Sequence, residues 1–578
     1  MSKTTWGLLV GFAVGCAVAW WMWPLSPPSP GPRDRPESLQ ARSTGGATAI
    51  LPEEEPNAAS VSDGAPPRVA VDSPSGAGNE VPATEQAPAE SPNAGTKPAS
   101  AKSEPPGPML RGWEGVRAAL VFTGEQHGYV EPCGCSLKQL GGLSRRADFF
   151  RQMGEREIPV AAFDLGGLVN RPTRKQGKLK LQMALHGLKD MRYNGVGLGP
   201  EELRNGIELI TYEERPPFVA CNVVLAQDPN LGLVEPFVVA DVGGLKVAVT
   251  AVYGQSLQAE VQAQVDASEV EVQDPAQALP KVVEAMRATQ PDLMVLLAHA
   301  QTAETRQLAG LVSGWDVIVA TGGPEEPNPR RVVEGGALWV WPGQKGKAVS
   351  VVGVFAGTGA ERLRYEPVSL DEDRFRDTPA MRDHMRHYQE MLALQKLVAT
   401  EPAIEYPRNV AESGENPYVG AETCGECHTR AYAHWKTTGH ARGTVSIIQG
   451  RAGQEGDYIS RIEDPECVAC HVTGWDPQEV VRYRTGWVDQ PTSAHLAGQQ
   501  CENCHGPGGR HSDLERQVAA GTLAADAADV GHWRDFAALV VDQAFDLCAR
   551  CHDGDNDPHF HTPTFPEYWE KIKHPWRD

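Results

Sequence analysis

Five short apolar runs mark the middle of the chain, at 116–122, 159–163, 245–252, 293–297 and 317–319. They are rich in Val, Leu, Ile and Ala and fit buried strands. Between them lie amphipathic stretches of helix length, at 138–156, 178–193, 274–290 and 303–314. Such alternation predicts an α/β domain over 111–370. Residues 371–417 read as a helix and a linker. Met381, Met385, Tyr388 and Leu392 recur at 4-3-4 spacing and predict one helix over 378–400. That stripe is expected to pack on its own domain, a dimer contact being its other use. A Pro/Glu linker fills 401–417.

The first 23 residues follow another pattern. Lys3 precedes an uncharged apolar run from Trp6 to Trp23, which is long enough to span a bilayer, with Trp20, Trp21 and Trp23 at its far end. A signal anchor over 1–23 is expected. A cleaved signal peptide, with Ala17-Val18-Ala19 as processing site, is the alternative. Ala13-Val14-Gly15-Cys16 also loosely matches a lipoprotein box, but the apolar run continues past it. Each reading exports the protein. Residues 24–110 hold 18 of the 46 prolines and no Phe, Trp or Tyr, so they lack the apolar surface to offset ordering entropy. A disordered Pro/Ala/Ser/Glu-rich tether is expected there.

Composition narrows the function. The 578 residues carry 53 Lys+Arg against 75 Asp+Glu, a net charge of −22, which argues against nucleic acid as a partner. Twelve cysteines are too few for a disulfide scaffold of this length. Eight of them fall in four C-x-x-C-H motifs: Cys424/Cys427/His428, Cys467/Cys470/His471, Cys501/Cys504/His505 and Cys548/Cys551/His552. This is the attachment signature of haem c. Two thiols add to the two vinyl groups on one porphyrin edge, and the next residue turns its imidazole to the iron. Four covalently attached haems are therefore expected over 418–578, with His428, His471, His505 and His552 as proximal iron ligands. Zinc binding by the CxxC pairs would not require a histidine after every second cysteine.

Residues 418–578 contain no methionine, so His/Met ligation is excluded from within the segment. Eight further histidines remain as distal candidates: His434, His440, His495, His511, His532, His559, His561 and His574. Bis-histidine ligation is the default, with room for one open iron. Four macrocycles in so short a segment must supply much of its apolar interior, so it should not fold without them.

Several stretches resemble a known family. They are Trp435-Lys-Thr-Thr-Gly-His440, Cys470-His471-Val-Thr-Gly474, Cys501–Gly508 with His511, and Tyr568-Trp569-Glu-Lys-Ile-Lys-His574. They are similar to the tetrahaem cytochromes that accept electrons from hydroxylamine oxidoreductase in ammonia-oxidising bacteria. The resemblance implies that His440 is the distal ligand of the fourth haem, His511 of the first and His574 of the third. It also implies that the haem on His471 is five-coordinate. The C-terminal stretch differs in length from the family, so His559 or His561 are alternatives to His574.

The middle domain resembles secreted 5′-nucleotidases and other calcineurin-like metallophosphoesterases. The residues that carry this are Thr123-Gly-Glu125-Gln-His127-Gly128, Gly141-Gly142-Leu-Ser-Arg145-Arg146, Asp164-Leu-Gly166-Gly167, Gly197-Leu-Gly199-Pro200-Glu201-Glu202, Leu297-Ala-His299 and Ala320-Thr-Gly322-Gly-Pro324. A two-metal site is the chemistry of that family. Here Gly167 replaces the bridging Asp, Pro200-Glu201 replaces Asn-His, and Gly322 and Pro324 replace the last two histidines. Glu125, His127 and His299 remain as a residual metal set, and a divalent metal is not expected. Glu131-Pro-Cys133-Gly-Cys135 suggests a disulfide in an oxidised compartment, with Cys221 as a further thiol and no pairing assigned; a metal or redox-partner loop is the alternative.

The fold class expected is multidomain: an α/β metallophosphatase-like sandwich followed by a mostly α, haem-packed tetrahaem cytochrome c domain. The function expected is an exported, periplasmic cytochrome tethered to the inner membrane, passing electrons between redox partner proteins, with no catalytic residues assigned. Two alternatives stand beside it. One is a haem enzyme acting on a small nitrogen or sulfur compound at a five-coordinate haem. The other is a metal-dependent phosphohydrolase with an electron-transfer tail. Residues 418–578 hold 24 acidic and 14 basic residues, which favours a basic partner face.

Overall fold

The computed structural model describes residues 109–574 except 133–137, 172–173, 206–207, 209–211, 213, 229–231, 411–414 and 451–457. The expected anchor, most of the expected tether, and Cys133 with Cys135 lie outside the described residues. Among the described residues no helix is long and apolar enough to cross a membrane.

Two six-stranded sheets form the middle domain. In chain order the strands are β1 (Ala118–Thr123), β2 (Val160–Asp164), β3 (Gly195–Gly197), β4 (Phe218–Val219), β5 (Val238–Val242) and β6 (Leu245–Tyr253). Then follow β7 (Leu293–His299), β8 (Val317–Ala320), β9 (Val332–Glu334), β10 (Ala337–Val340), β11 (Ala348–Val354) and β12 (Leu363–Ser369). The first sheet has the order β12-β11-β1-β2-β3-β4 and the second β9-β10-β8-β7-β6-β5. Strands β1 to β4 run parallel, as do β6, β7, β8 and β10.

Side-chain alternation decides which core each strand serves. Ala118, Leu120 and Phe122 of β1 pack between the sheets against Val247, Val249, Val295 and Leu297. Ala119 and Val121 face the other way. They join helices α1 (Leu143–Glu155) and α2 (Lys175–Asp190) in an outer core that also takes Met109 and Leu110. Helices α3 (Pro275–Ala288) and α4 (Thr302–Gly310) cover the second sheet through Leu279, Val283, Met286 and Leu308.

The stripe of Met381, Met385, Tyr388 and Leu392 lies on α5 (Pro379–Gln395) and packs into the first outer core. The expected single helix over 378–400 is broken. Lys396 takes a left-handed conformation (φ 50°), its N–H capping Leu392 and Ala393, and a short helix Leu397–Thr400 follows.

The C-terminal segment is built of short helices around two small clusters. Val468, Val472, Trp475, Trp487 and Leu496 lie in one, and Leu514, Val530, Trp533 and Phe536 in the other. It meets the α/β domain through a buried polar network. Asp464 caps helix Pro465–His471 by accepting from Glu466 N at 3.1 Å. Its carboxylate also accepts from Gln176 Nε2 (2.7 Å) and Gln389 Nε2 (3.0 Å). Lys180, only 7% exposed, pairs with Glu466 at 2.5 Å. Burial opposes the Lys180 charge, but Glu466 and Asp464 outweigh it and raise its pKa.

Asp464→Ala should lower stability by about 2–4 kcal/mol, because it removes a helix cap and takes an acceptor from two buried amides. Urea unfolding followed by circular dichroism measures this. Asp464→Asn, which can still accept hydrogen bonds, should lose less, and a cost for Asp464→Ala below about 0.5 kcal/mol would contradict the assignment.

Candidate functional site

Register brings chemistry to the strand ends. Thr123 pairs with Asp164, and Tyr253 with His299. Thr123 Oγ1 donates to Asp164 at 2.5 Å. After β2 the chain turns at Gly166 (φ 98°) and Gly167 (φ 75°). A Cβ on Gly166 would lie 2.7 Å from Gly199 N, so the loops fit together only with glycine there. Glu202 is fully buried, and its carboxylate accepts from the N–H groups of Gly167 (2.9 Å), Leu168 (2.7 Å) and Gly199 (2.8 Å). It ties together the loops at Gly167 and Gly199. The sequence signal for it was the last residue of Gly199-Pro-Glu-Glu202.

Glu125, His127, Glu201 and His299 cluster beside these loops, close enough for Glu125 to act on Glu201 and His127 on His299. Burial pushes the Glu125 carboxyl up to about 7. Burial and then the neighbouring Glu202 push Glu201 up to about 7. Burial lowers His299 to about 4, and burial with the Lys345 charge lowers His127. Glu125 Oε2, Glu201 Oε2 and His299 Nδ1 are buried without a hydrogen-bond partner. Uncharged groups tolerate this better than ions do. Among the described residues no group of three or more His, Cys, Asp or Glu is arranged to hold a metal ion. The residual set of Glu125, His127 and His299 thus lies in one cluster without the geometry of a metal centre. Cys221 is a free thiol that packs beside the second outer core, and burial raises its pKa to about 12.

The second and third CxxCH motifs lie on helices Pro465–His471 and Cys501–His505, while the first and fourth begin on helices Ala421–Gly425 and Ala544–Ala549 and run on into turns. A single turn places the two cysteines of each motif one above the other, and His428 and His552 each hydrogen-bond back to the first cysteine at 2.9 Å. Three motif histidines face a second imidazole. Ring centres are 6.4 Å apart for His428 and His511, 6.1 Å for His440 and His552, and 6.0 Å for His505 and His574. Two imidazoles trans on one metal, each bonded at about 2.0 Å, have ring centres about 6.3 Å apart. The separations therefore fit one iron between each pair.

His471 has no such partner among the described residues. His434 hydrogen-bonds Lys571 O at 3.2 Å, His532 packs on Trp533, and His561 meets Thr564 at 3.2 Å.

The Nδ1 atoms of three motif histidines are held from behind. His471 meets Gly443 O at 2.9 Å, His505 meets Ala537 O at 2.8 Å, and His552 meets Asp557 Oδ2 at 2.9 Å. Such bonds fix the tautomer that leaves Nε2 for a metal. Cys424 is in hydrogen-bond contact with Cys501, and Cys470 with Cys551. Phe545, Phe560, Phe565 and Tyr568 form an aromatic wall beside His552. Helix Phe565–Ile572 buries none of its residues, although it carries Phe565, Trp569 and Ile572. That leaves apolar surface suited to a macrocycle.

Residues 423–506 match the family model described as cytochrome c554 and c-prime. Three CxxCH motifs lie inside the match and the fourth lies beyond it. Cytochrome c-554 of Nitrosomonas europaea is 30% identical over 105 residues, which are 17% of this chain and 41% of that protein. The chain thus spans less than half of that relative. A 5′-nucleotidase precursor from Thermus thermophilus aligns with TM-score 0.42 and 21% identity, over 50% of this chain and 60% of that one. The calcineurin-like phosphoesterase YfkN from Bacillus subtilis aligns with TM-score 0.39 and 16% identity, over 47% of this chain and 97% of that one. The C-terminal segment resembles the cytochrome c554 family, which implies covalently bound haem c. The chain is multidomain, with α/β sheets in the middle and a helical C-terminal region, as expected.

Replacement of Glu201 tests the electrostatics of the cluster. Its carboxyl is raised from an ordinary 4.5 to about 7, so the native state binds more protons than the unfolded chain between these values. The stability it contributes is therefore lost as pH rises through that window. Relative to Glu201→Gln, the wild type should lose roughly 2–3 kcal/mol between pH 5 and pH 8 in urea titrations. A pH-independent difference would contradict the raised carboxyl.

Proposed function

We propose that this protein is an exported c-type cytochrome that holds four haems and passes electrons between redox partners. The observation that carries this reading is the set of three histidine pairs, His428–His511, His440–His552 and His505–His574, at separations of 6.0–6.4 Å. When bound, haem c supplies a one-electron iron couple. The chain's own residues attach, ligate and bury it. Cys424, Cys427, Cys467, Cys470, Cys501, Cys504, Cys548 and Cys551 form the thioethers. His428, His471, His505 and His552 ligate from the proximal side, and His511, His440 and His574 from the distal side.

Imidazole on both sides favours low potentials, since no methionine is present to raise them. The anionic acceptor Asp557 makes His552 a stronger donor than His471 and His505, whose acceptors are backbone carbonyls. The contacts of Cys424 with Cys501 and of Cys470 with Cys551 support close approach of the first and third, and of the second and fourth, attachment sites.

The α/β domain acts in this reading as a scaffold without hydrolase activity. Gly167, Pro200, Gly322 and Pro324 offer no metal ligand, and burial with the neighbouring Glu202 raises the Glu201 carboxyl to about 7. Haem c is attached outside the cytoplasm, and residues 1–23 supply an export signal that, uncleaved, tethers the protein to the inner membrane.

Pyridine haemochrome analysis should give four haems per chain, falling to three in a Cys548→Ser, Cys551→Ser variant. A count of three in the wild type, or an unchanged count in the variant, overturns the four-haem reading.

A second reading rests on His471, which lacks a facing imidazole among the described residues. That site is then open to a small ligand, and redox chemistry on a small nitrogen or sulfur compound becomes available. Carbon monoxide should bind one site per reduced chain. Absence of binding removes the basis of this reading.

A further inference from the structure

We infer that the surface beside the Glu125, His127, Glu201 and His299 cluster is the seat of the fourth haem-attachment loop, and that Lys345 is the residue that positions this loop. The inference rests on the reading that His552 ligates a haem.

Lys345 belongs to the turn after β10. It adopts a left-handed backbone (φ 57°), and its N–H donates to Glu125 O at 2.8 Å. Its backbone is thereby fastened to the cluster, and its charge is felt by His127. Its side chain crosses to the other domain. Lys345 Nζ donates to both carboxylate oxygens of Asp555, at 2.6 and 2.7 Å. Tyr129 Oη donates to the same carboxylate at 2.7 Å, and Gln139 Nε2 donates to Asp555 O at 3.0 Å. Lys345 Nζ also lies 5.4 Å from the Tyr129 ring centre.

Asp555 stands three residues after His552. Its loop is closed by Asp553, whose Oδ1 accepts from Asp555 N at 3.0 Å and Asn556 N at 2.7 Å. Asp557 then receives His552 Nδ1 at 2.9 Å and Tyr568 Oη at 3.1 Å. One chain of bonds thus runs from the Glu125 backbone through Lys345 and Asp555 to the loop that orients the His552 imidazole.

The clamp is only partly solvated, with side-chain exposures of 20% for Lys345 and 24% for Asp555, so its charges are felt more strongly than a surface pair's. Its place is informative. Tyr129 and Lys345 flank the loop carrying Glu125 and His127, where a phosphoesterase would admit substrate. The same surface here holds a loop of the haem segment. The α/β domain therefore sets the geometry and the field at the fourth attachment site.

Spectroelectrochemical titration of the whole holoprotein tests this through the sign of the shifts. Reduction adds one negative charge near the clamp. Lys345→Met should lower the midpoint potential of one haem, because it removes the positive charge that offsets Asp555. Asp555→Asn should raise the same potential. The double variant should fall between the two, and Lys345→Arg should stay near wild type. Loosening of a merely structural contact would move both single variants the same way. Shifts of the same sign, or no shift, with the wild-type haem count retained, overturn the clamp alone. A wild-type chain with no haem attached at Cys548 and Cys551 overturns the reading beneath it, and the inference with it.

Discussion

Two imidazoles trans on one iron have ring centres about 6 Å apart, and three histidine pairs of the C-terminal segment stand at that separation. Its helices are short, and its two clusters of buried side chains are small. Neither is enough to fold a segment of this size by burial alone. Each pair, His428 with His511, His440 with His552 and His505 with His574, joins positions far apart in the chain. Ligation would thus act as a long-range staple, coupling cofactor binding to folding. Phe565, Trp569 and Ile572 on helix Phe565–Ile572 are only half-buried, and with the aromatic wall beside His552 they offer apolar surface to a cofactor.

In the α/β domain, buried ionisable groups gather at the strand ends around Glu202. Glu202 ties the loops at Gly167 and Gly199 together through three backbone hydrogen bonds. Around it, burial favours neutral carboxyls and neutral imidazoles. The domain also offers attachment. Asp464 with Gln176 and Gln389, and Lys180 with Glu466, hold the helix that ends at His471. Lys345 and Tyr129 hold the loop that follows His552. Both contacts are made by buried or half-buried polar groups whose mutual hydrogen bonds fix orientation rather than merely adding stability.

Much of this was legible in the sequence where the chemistry is local. CxxCH spacing is dictated by one porphyrin edge, so the attachment residues could be read directly. The alternating strand and helix pattern gave the α/β class, because burial on one face leaves a period in the sequence. The break at Lys396 was not legible: no Gly or Pro marks it, and the left-handed turn answers to packing. Spacing alone left eight spare histidines, and only tertiary structure brings three of them to a motif ring. Lys180, Lys345, Asp464 and Asp555 read as ordinary charges, since nothing local distinguishes a solvated carboxylate from one buried between domains.

Low-temperature electron paramagnetic resonance of the oxidised protein tests the axial pairing most directly. Three low-spin signals of bis-histidine type and one high-spin signal per chain are the expected result. Four low-spin centres, or more than one high-spin centre, would contradict it.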